Sequence, residues 1–554
     1  MYKNEIDKLN KTYNYYSIGR LILFIGIITS LFFLKNNFMY IVLGILVLAF
    51  IVLVIFHSKV AKKLKFYQTL LEIQKELDDK KELKFKDVPL IGETNNLSHD
   101  LDLDRLYSLI NSCYTYKGKE LLFKHLKEPV FSDQEIKERQ DAIDEMYNKH
   151  NFFARKFQAY SRMSKQRKVT YNFESYDFNH KNKNAILSIV LGCIGLITLI
   201  LVCCLVLPWW TLMIVFLVNY LVNNTNKVEH SQYIEALDSL SLTFESYNSL
   251  SKIISSEDFD SPYLKKIKED LLNGQEAFKK LIFINNLANF IKNPLTNVIF
   301  NGFFALESNV YTLFLNWGKS YKDSLYQSID AIAKEEEIIS FTTINEIFDC
   351  CKPTLSEELV IEFDNVRHPL ILNCVDNGVN FKHSATIITG SNMSGKTTYL
   401  RSIGINIVLG LNGSYVLASK AKISNVQLFT SMRVNDDVNN GISTFYAEIK
   451  RIKEMIEFSK ENKKMVCLID EIFKGTNSID RIKGAKEGIK KLTTDHSIVI
   501  VSTHDFELCN IENILNYHFE EHYIDNEIYF SYKLQDGKCL TSNAEFLMKL
   551  AGII

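Results

Sequence analysis

The chain is expected to form an α/β domain in its C-terminal part, preceded by an all-α region that two transmembrane helical hairpins interrupt. Three observations lead there. Gly390 to Thr397 reads GSNMSGKT directly after the apolar run Ala385 to Thr389. Leu21 to Leu34 and Phe38 to Phe56 are uncharged apolar runs of 14 and 19 residues, separated only by Lys35, Asn36 and Asn37. Ala185 to Val222 is a second uncharged block, 38 residues long. With seven prolines and 22 glycines in 554 residues, little punctuates the chain between these features, in keeping with long helices.

Residues 1–20 carry Lys3, Lys8, Lys11 and Arg20 ahead of the first hairpin, residues 21–56. Its second run, at about 1.5 Å per residue, matches a hydrocarbon core of about 30 Å. The first run must extend back through Ile18, with Arg20 snorkelling and Tyr15 and Tyr16 at the interface. A cleaved leader is the rival reading; against it, no small-residue cleavage site follows Leu34 and a second apolar run comes at once. Residues 57–184 read as the first part of a helical core. Residues 185–222 form the second hairpin, turned at Pro208, Trp209 and Trp210; its second pass is short and contains Asn219, so full crossing and re-entry both fit.

Lys59, Lys62, Lys63 and Lys65 follow the first hairpin and Lys181 and Lys183 precede the second, whereas the two turns together carry only Lys35. Positive residues mark the cytoplasmic side, which places both termini and the α/β domain there, in a multi-pass protein of the cell membrane. Residues 223–345 read as returning lever helices, one opened by Ser261 and Pro262 with Leu264, Ile267, Leu271 and Leu272 on one face. Leu295 to Trp317 is apolar-rich, but Asn297, Asn301, Glu307 and Asn309 interrupt it, and an acid at mid-span costs about 3 kcal/mol. That stretch is read as a helix buried in protein. Residues 346–554 make up the α/β domain.

Within that domain GSNMSGKT fits G-x-x-x-x-G-K-[ST], a phosphate-binding loop. Gly390 and Gly395 allow a tight turn, so that backbone N–H groups of Ser391, Asn392, Met393, Ser394, Lys396, Thr397 and Thr398 can wrap the phosphates of ATP. Lys396 is expected on the β- and γ-phosphates and Thr397 on Mg²⁺. The strand pattern Met465 to Ile469 ends in Asp470 and Glu471, where a magnesium carboxylate and a general base for water are needed. Alone, the pair would read as a solvated acidic turn. The strand pattern Ser497 to Val501 ends in Ser502, Thr503 and His504, which puts an imidazole at the same sheet edge as a γ-phosphate sensor. A lone histidine is ordinarily a satisfied surface or core group; the three motifs together favour nucleotide hydrolysis.

At this point the chain resembles the MutS family of mismatch-repair ATPases. ITGSNMSGKTTYLRSIG, GSYVLA at Gly413 to Ala418, the Asp-Asp and GISTF between Asp436 and Phe445, LIDEIFKGTNSID and STHDFEL follow the family's order. Upstream, Arg367-His368-Pro369 and the segment Tyr116 to Met146, with its Gly-x-x-Leu-Leu run and Arg-x-x-Ala-Ile helix, are similar to family segments as well. The resemblance implies an ABC-type P-loop ATPase working as a homodimer, with the phosphate loop of one subunit facing a signature serine of the other. By motif that serine is Ser443, which read alone is an N-cap. Gly475 to Asp480 would lie along the dimer seam. Ser391, Ser394 and Phe473-Lys474 depart from the residues common in the family, but none removes a catalytic atom, so hydrolysis is expected to survive. The family's mismatch-reading Phe-x-Glu wedge has no counterpart in the first hundred residues.

Composition restrains the choice of partner. The 64 Lys and Arg nearly cancel 65 Asp and Glu, giving a net charge of −1 and no global basic field for nucleic acid. Ten cysteines include no C-x-x-C pair and read as reduced packing residues. A local basic run, Arg162, Lys165, Arg167 and Lys168, suits a solvated face or membrane lipid headgroups before it suits DNA, which stays open as a partner. Three uses of an ATP-driven closure remain at this stage: a membrane-tethered machine on DNA, a membrane-remodelling or transporter-like ATPase, and an ATP-switched scaffold.

Overall fold

The computed structural model describes residues 2–32, 37–164, 177–179, 185–224, 233, 237, 244–382, 385–391, 393–433, 444–474, 477–524 and 527–539. Most of the chain is helical, and two mixed sheets occupy its C-terminal part.

Helices α1 (Tyr2–Phe32) and α2 (Asn37–Lys81) pack as an antiparallel pair. The position of a Cβ on Gly19 falls 3.5 Å from Leu53, and on Gly26 3.9 Å from Leu46, so the two glycines sit at the seam. Arg20 is held by His57, 2.7 Å away, while the apolar side chains around them point outward. Helix α2 does not stop at the end of its apolar run. It continues as one rod into Leu70, Ile73 and Leu77, which pack with Ala159 of α7 (Asn151–Met163). The second apolar block is α8 (Ala185–Cys203) and α9 (Trp210–Asn224). Among the described residues three helices are long and apolar enough to cross a membrane, Tyr2–Phe32, Tyr40–Lys81 and Ala185–Cys203; Trp210–Val222 is apolar but shorter.

Between these lie α3 (Asn96–Asp100), α4 (Leu103–Ile110), α5 (Tyr116–Lys127) and α6 (Asp133–Asn148). Thr115 caps α5, and Ser132 with Glu135 forms a capping box on α6, each satisfying backbone N–H groups that a helix start leaves free. After α10 (244–255), Ser261 caps α11 (Pro262–Lys292), and α12 (Pro294–Phe304) leads into α13 (Leu306–Ile347). The expected single buried helix over Leu295–Trp317 is therefore corrected. It is two helices meeting at 83°, with Ala305 in the left-handed region between them and Leu295, Val298 and Ile299 exposed.

The strands are β1 (Thr354–Ser356), β2 (Val360–Val366), β3 (Asn377–Lys382), β4 (Ala385–Thr389), β5 (Lys420–Ser424), β6 (Gln427–Ser431), β7 (Met465–Asp470), β8 (Ser497–Ser502), β9 (Ile514–Ile524) and β10 (Glu527–Asp536). One sheet runs β1-β5-β2-β3; the other runs β10-β9-β4-β8-β7-β6, parallel except for its edge strand β10. Every residue of β4, β7 and β8 is buried, as a parallel sheet covered on both faces requires. Helices α14 (Lys396–Leu411), α15 (Thr444–Ser459) and α16 (Ser478–Leu492) complete this part.

The two regions meet at a buried cluster of charge. Arg139 of α6 makes a two-pronged bond to Glu337 of α13, at 2.8 and 3.1 Å, and its Nε donates to the Asn412 carbonyl at the end of α14, at 2.9 Å. His125 lies 2.6 Å from the same carboxylate. Burial alone would raise the Glu337 pKa, but the charge of Arg139, then His125, outweighs it and holds the group at about 2. Glu336 sits against the start of α5, taking bonds from Thr115 N and Ser161 Oγ; a Cβ on Gly118 would lie 2.2 Å from its Oε2, so only glycine fits there. Glu335 is buried with no hydrogen-bond partner for either oxygen among the described residues, and burial, then the charge of Glu145, pushes it up to about 8.

These neighbours should respond oppositely to neutralisation. Glu337→Gln strands a buried Arg139 charge and is expected to cost about 3–5 kcal/mol. For Glu335 the proton is held more tightly folded than unfolded, so its stabilisation is full below its ordinary value of 4.5 and is lost as pH climbs through 8. Thermal melts of Glu335→Gln should therefore gain more over the native protein at pH 8 than at pH 5. An equal shift at both pH values would contradict this.

Candidate active site

The loop after β4 is shaped by two glycines that no other residue could replace without strain. Gly390 has φ +148°, and a Cβ there would lie 2.8 Å from both the Phe519 carbonyl and Ser394 Oγ. Gly395 has φ +106° beneath the Tyr532 ring. The chain then enters α14, whose first N–H groups face the loop. Lys396 is buried, and its ammonium donates to the Gly390 and Ser391 carbonyls, each at 2.8 Å. Burial lowers its pKa, opposed by the charges of Asp470 and then Glu471.

Asp470 and Ser502 are paired neighbours on β7 and β8. Ser502 Oγ donates to one Asp470 oxygen, and Thr397 Oγ1 donates to the other at 2.8 Å. Next to it Glu471 leaves the strand with φ +56°, its N–H bonded to the Ser502 carbonyl at 2.9 Å. That turn swings its carboxylate 3.0 Å from His504 Nε2, with Lys474 3.6 Å from the other oxygen. The hydrogen bond from His504 is the largest influence on Glu471 and, with Lys474, overcomes burial to hold its pKa at about 2. Lys396 is also 3.3 Å from His504 Nε2. One nitrogen cannot donate to Glu471 and accept from Lys396 at once, and the shorter contact with a carboxylate requires the proton on Nε2.

A cavity of about 560 Å³ opens over the loop; its lining includes Met393, Lys396, Thr397 and Glu471 together with Ile371, Leu372 and Tyr532. Polar and charged groups share one cavity with apolar side chains, the mixed lining common to small-molecule sites. Lys396, Thr397, Asp470, Glu471 and His504 thus converge at the C-terminal edge of three adjacent parallel strands. Gly390, Ser391, Met393, Ser394, Gly395 and Thr398 form the loop and first turn around them. Asn392 and Ser443 lie outside the described residues, as do Gly475 and Thr476.

Two neighbours of this site, Glu521 and Tyr532, carried no sequence signal for their position. Ser391 Oγ donates to the buried Glu521 of β9 at 2.8 Å, Tyr532 comes from a bulge in β10, and the Ser394 hydroxyl is buried without a partner among the described residues. Among the described residues no group of three or more His, Cys, Asp or Glu could hold a metal unaided.

The profile of MutS domain V matches residues 386–553, and that of MutS domain III matches residues 70–342. The chain belongs to the MutS family. It is 29% identical over 262 residues to the DNA mismatch repair protein MutS of Staphylococcus epidermidis, covering 45% of this chain and 30% of that protein. It is 28% identical over 318 residues to the MutS of Clostridium perfringens, 54% of this chain and 32% of that protein. The matched part spans about a third of these relatives' length.

The His504–Glu471 bond predicts a pH effect. A carboxylate held this low is ionised throughout the neutral range; in His504→Ala it loses its main support and titrates higher. The acid limb of the pH profile for nucleotide turnover should then move to higher pH. A limb that stays in place in the variant would show that His504 does not set the state of Glu471.

Proposed function

We propose that this protein is a membrane-anchored, MutS-like ABC-type P-loop ATPase that hydrolyses ATP to ADP and phosphate at sites shared between two subunits of a homodimer. The reading rests on the convergence of Lys396, Thr397, Asp470, Glu471 and His504 on the edge beside the glycine loop. Lys396 and the loop N–H groups bind and orient the phosphates, and Glu471 takes a proton from the water that attacks in line. Thr397 and Asp470 are hard oxygen donors that fit Mg²⁺, which when bound neutralises charge on the phosphate oxygens. His504 orients Glu471. Ser443 of the second subunit would close the site over the γ-phosphate.

The division into membrane hairpins at 21–56 and 185–222, helical segments at 57–184 and 223–345 and an ATPase domain at 346–554, facing the cytoplasm, belongs to the same reading. Kinship with mismatch-repair proteins supports DNA binding or repair-related processing as the load on the ATPase cycle. A second reading, in which the stroke acts on the membrane, has its own support. Helix α13 runs from the Glu337 joint to Ser308, whose hydroxyl lies 2.7 Å from Ser188 of α8.

Purified Glu471→Gln is expected to bind ATP yet hydrolyse it about 10²–10⁴ times more slowly, whereas Lys396→Ala loses binding as well. Near-native turnover by the glutamine variant would remove Glu471 as the base.

A further inference from the structure

Helix α12 lies where an ordinary water-facing connection would not be built this way. Its sequence, PLTNVIFNGFF, carries no charge. Both of its ends break a helix and free backbone carbonyls, and side chains take up those carbonyls, at the start from α12 itself and at the end from α13 and α9. At its start Thr296 donates to the Phe290 carbonyl at 2.5 Å and Asn297 to that of Ile291 at 2.8 Å. At its end Asn219 of α9 donates to the Phe303 carbonyl and Asn309 to that of Phe304, each at 3.0 Å.

The fit at that end is close. A Cβ on Gly195 of α8 would lie 1.7 Å from the Phe303 carbonyl oxygen, and one on Gly192 2.8 Å from that of Phe304. A Cβ on Gly302 would meet the Phe216 ring of α9 at 2.1 Å. Small residues and side-chain amides at helix contacts are how helices associate where no water competes. Water would have satisfied these carbonyls for free at an exposed bend; hydrocarbon cannot. Meanwhile Leu295, Val298 and Ile299 point outward at 78%, 49% and 50% exposure, continuous with the outward apolar faces of α8 and α9.

We infer that α12 is a third membrane element, a re-entrant helix seated with α8 and α9 in the hydrocarbon of one leaflet, its outward face covered by lipid acyl chains. Eleven residues at about 1.5 Å each span about 16 Å, half of a core of about 30 Å. Its last residues, Phe303 and Phe304, meet α8 at Gly195 and Gly192, around the middle of that 19-residue helix, so the break lies near mid-span and α13 leaves it past Ser188. The polar groups of the break, Asn301, Glu307 and Asn309, turn inward onto one another and onto α8. This rests on the reading that α8 and α9 are in the membrane, and the test separates the two.

Full-length protein with its native cysteines replaced would carry single substitutions Leu295→Cys or Val298→Cys on α12, Leu196→Cys on α8, or Asp323→Cys on the exposed side of α13. In native membranes opened to reagent on both sides, a charged maleimide should label positions 295, 298 and 196 at least about tenfold more slowly than 323, with equal labelling of all four after denaturation in SDS. Fast labelling at 196 would refute membrane insertion of the hairpin. Fast labelling at 295 and 298 with 196 protected would refute only the place of α12. A bimane attached to the Val298→Cys variant in reconstituted vesicles should be quenched by phospholipids brominated on their chains. Slow labelling without that quenching would put a protein surface over α12 and overturn the inference.

Discussion

The buried bond between Arg139 and Glu337 is the constraint on which the architecture turns. It joins three elements that are remote in sequence: α6 of the helical core, α13 of the returning helices and, through Asn412, the end of the helix that begins at the glycine loop. Taking both charges out of water is costly, and the cost is offset because each has several partners. Arg139 also lies over the Phe131 ring at 4.6 Å, and Asn412 donates to the His125 carbonyl at 3.0 Å. The same crowding explains Gly413, where a Cβ would meet that of Arg139 at 2.7 Å.

From that joint the structure runs in two directions. Toward the sheet, α14 carries Lys396 and Thr397 at its other end, facing the carboxylates that β7 delivers. Two neighbouring carboxylates there are kept distinct by their partners: Asp470 is tied to hydroxyls of Thr397 and Ser502, and Glu471 turns away from the strand to His504 and Lys474. In the other direction α13 is a single helix of 42 residues that ends against α8 and α12. A displacement of α14 therefore has a continuous packed route to the apolar hairpin, with no loop between to absorb it.

Much of this was legible in the sequence where local chemistry decides the outcome. Strands β4, β7 and β8 appear as continuous apolar runs because both faces of a parallel sheet are covered, and the glycine loop and the Asp470–Glu471 pair mark their ends. The capped start of α11 at Ser261 and Pro262 was equally local. What sequence did not disclose depends on partners far along the chain. The break at Ala305 has no proline; it is held by Asn219 and the glycines of α8. Helix α2 runs unbroken past Phe56 because the lysines that end the apolar run are themselves good helix formers. Arg139 stood out only as the arginine of the Arg-x-x-Ala-Ile segment, without its partners, and Glu337 and Asn412 carry no signal of their role until the fold brings the three together.

The most direct test of this coupling is hydrogen exchange on the full-length protein in lipid discs, with and without ATP and Mg²⁺, in the native chain and in Arg139→Gln. Nucleotide should raise protection both in α14, over 396–411, and in α13, over 330–345. In Arg139→Gln the response of α14 should persist while that of α13 is lost. An undiminished response of α13 in the variant would show that α14 is coupled to the long helix by another route.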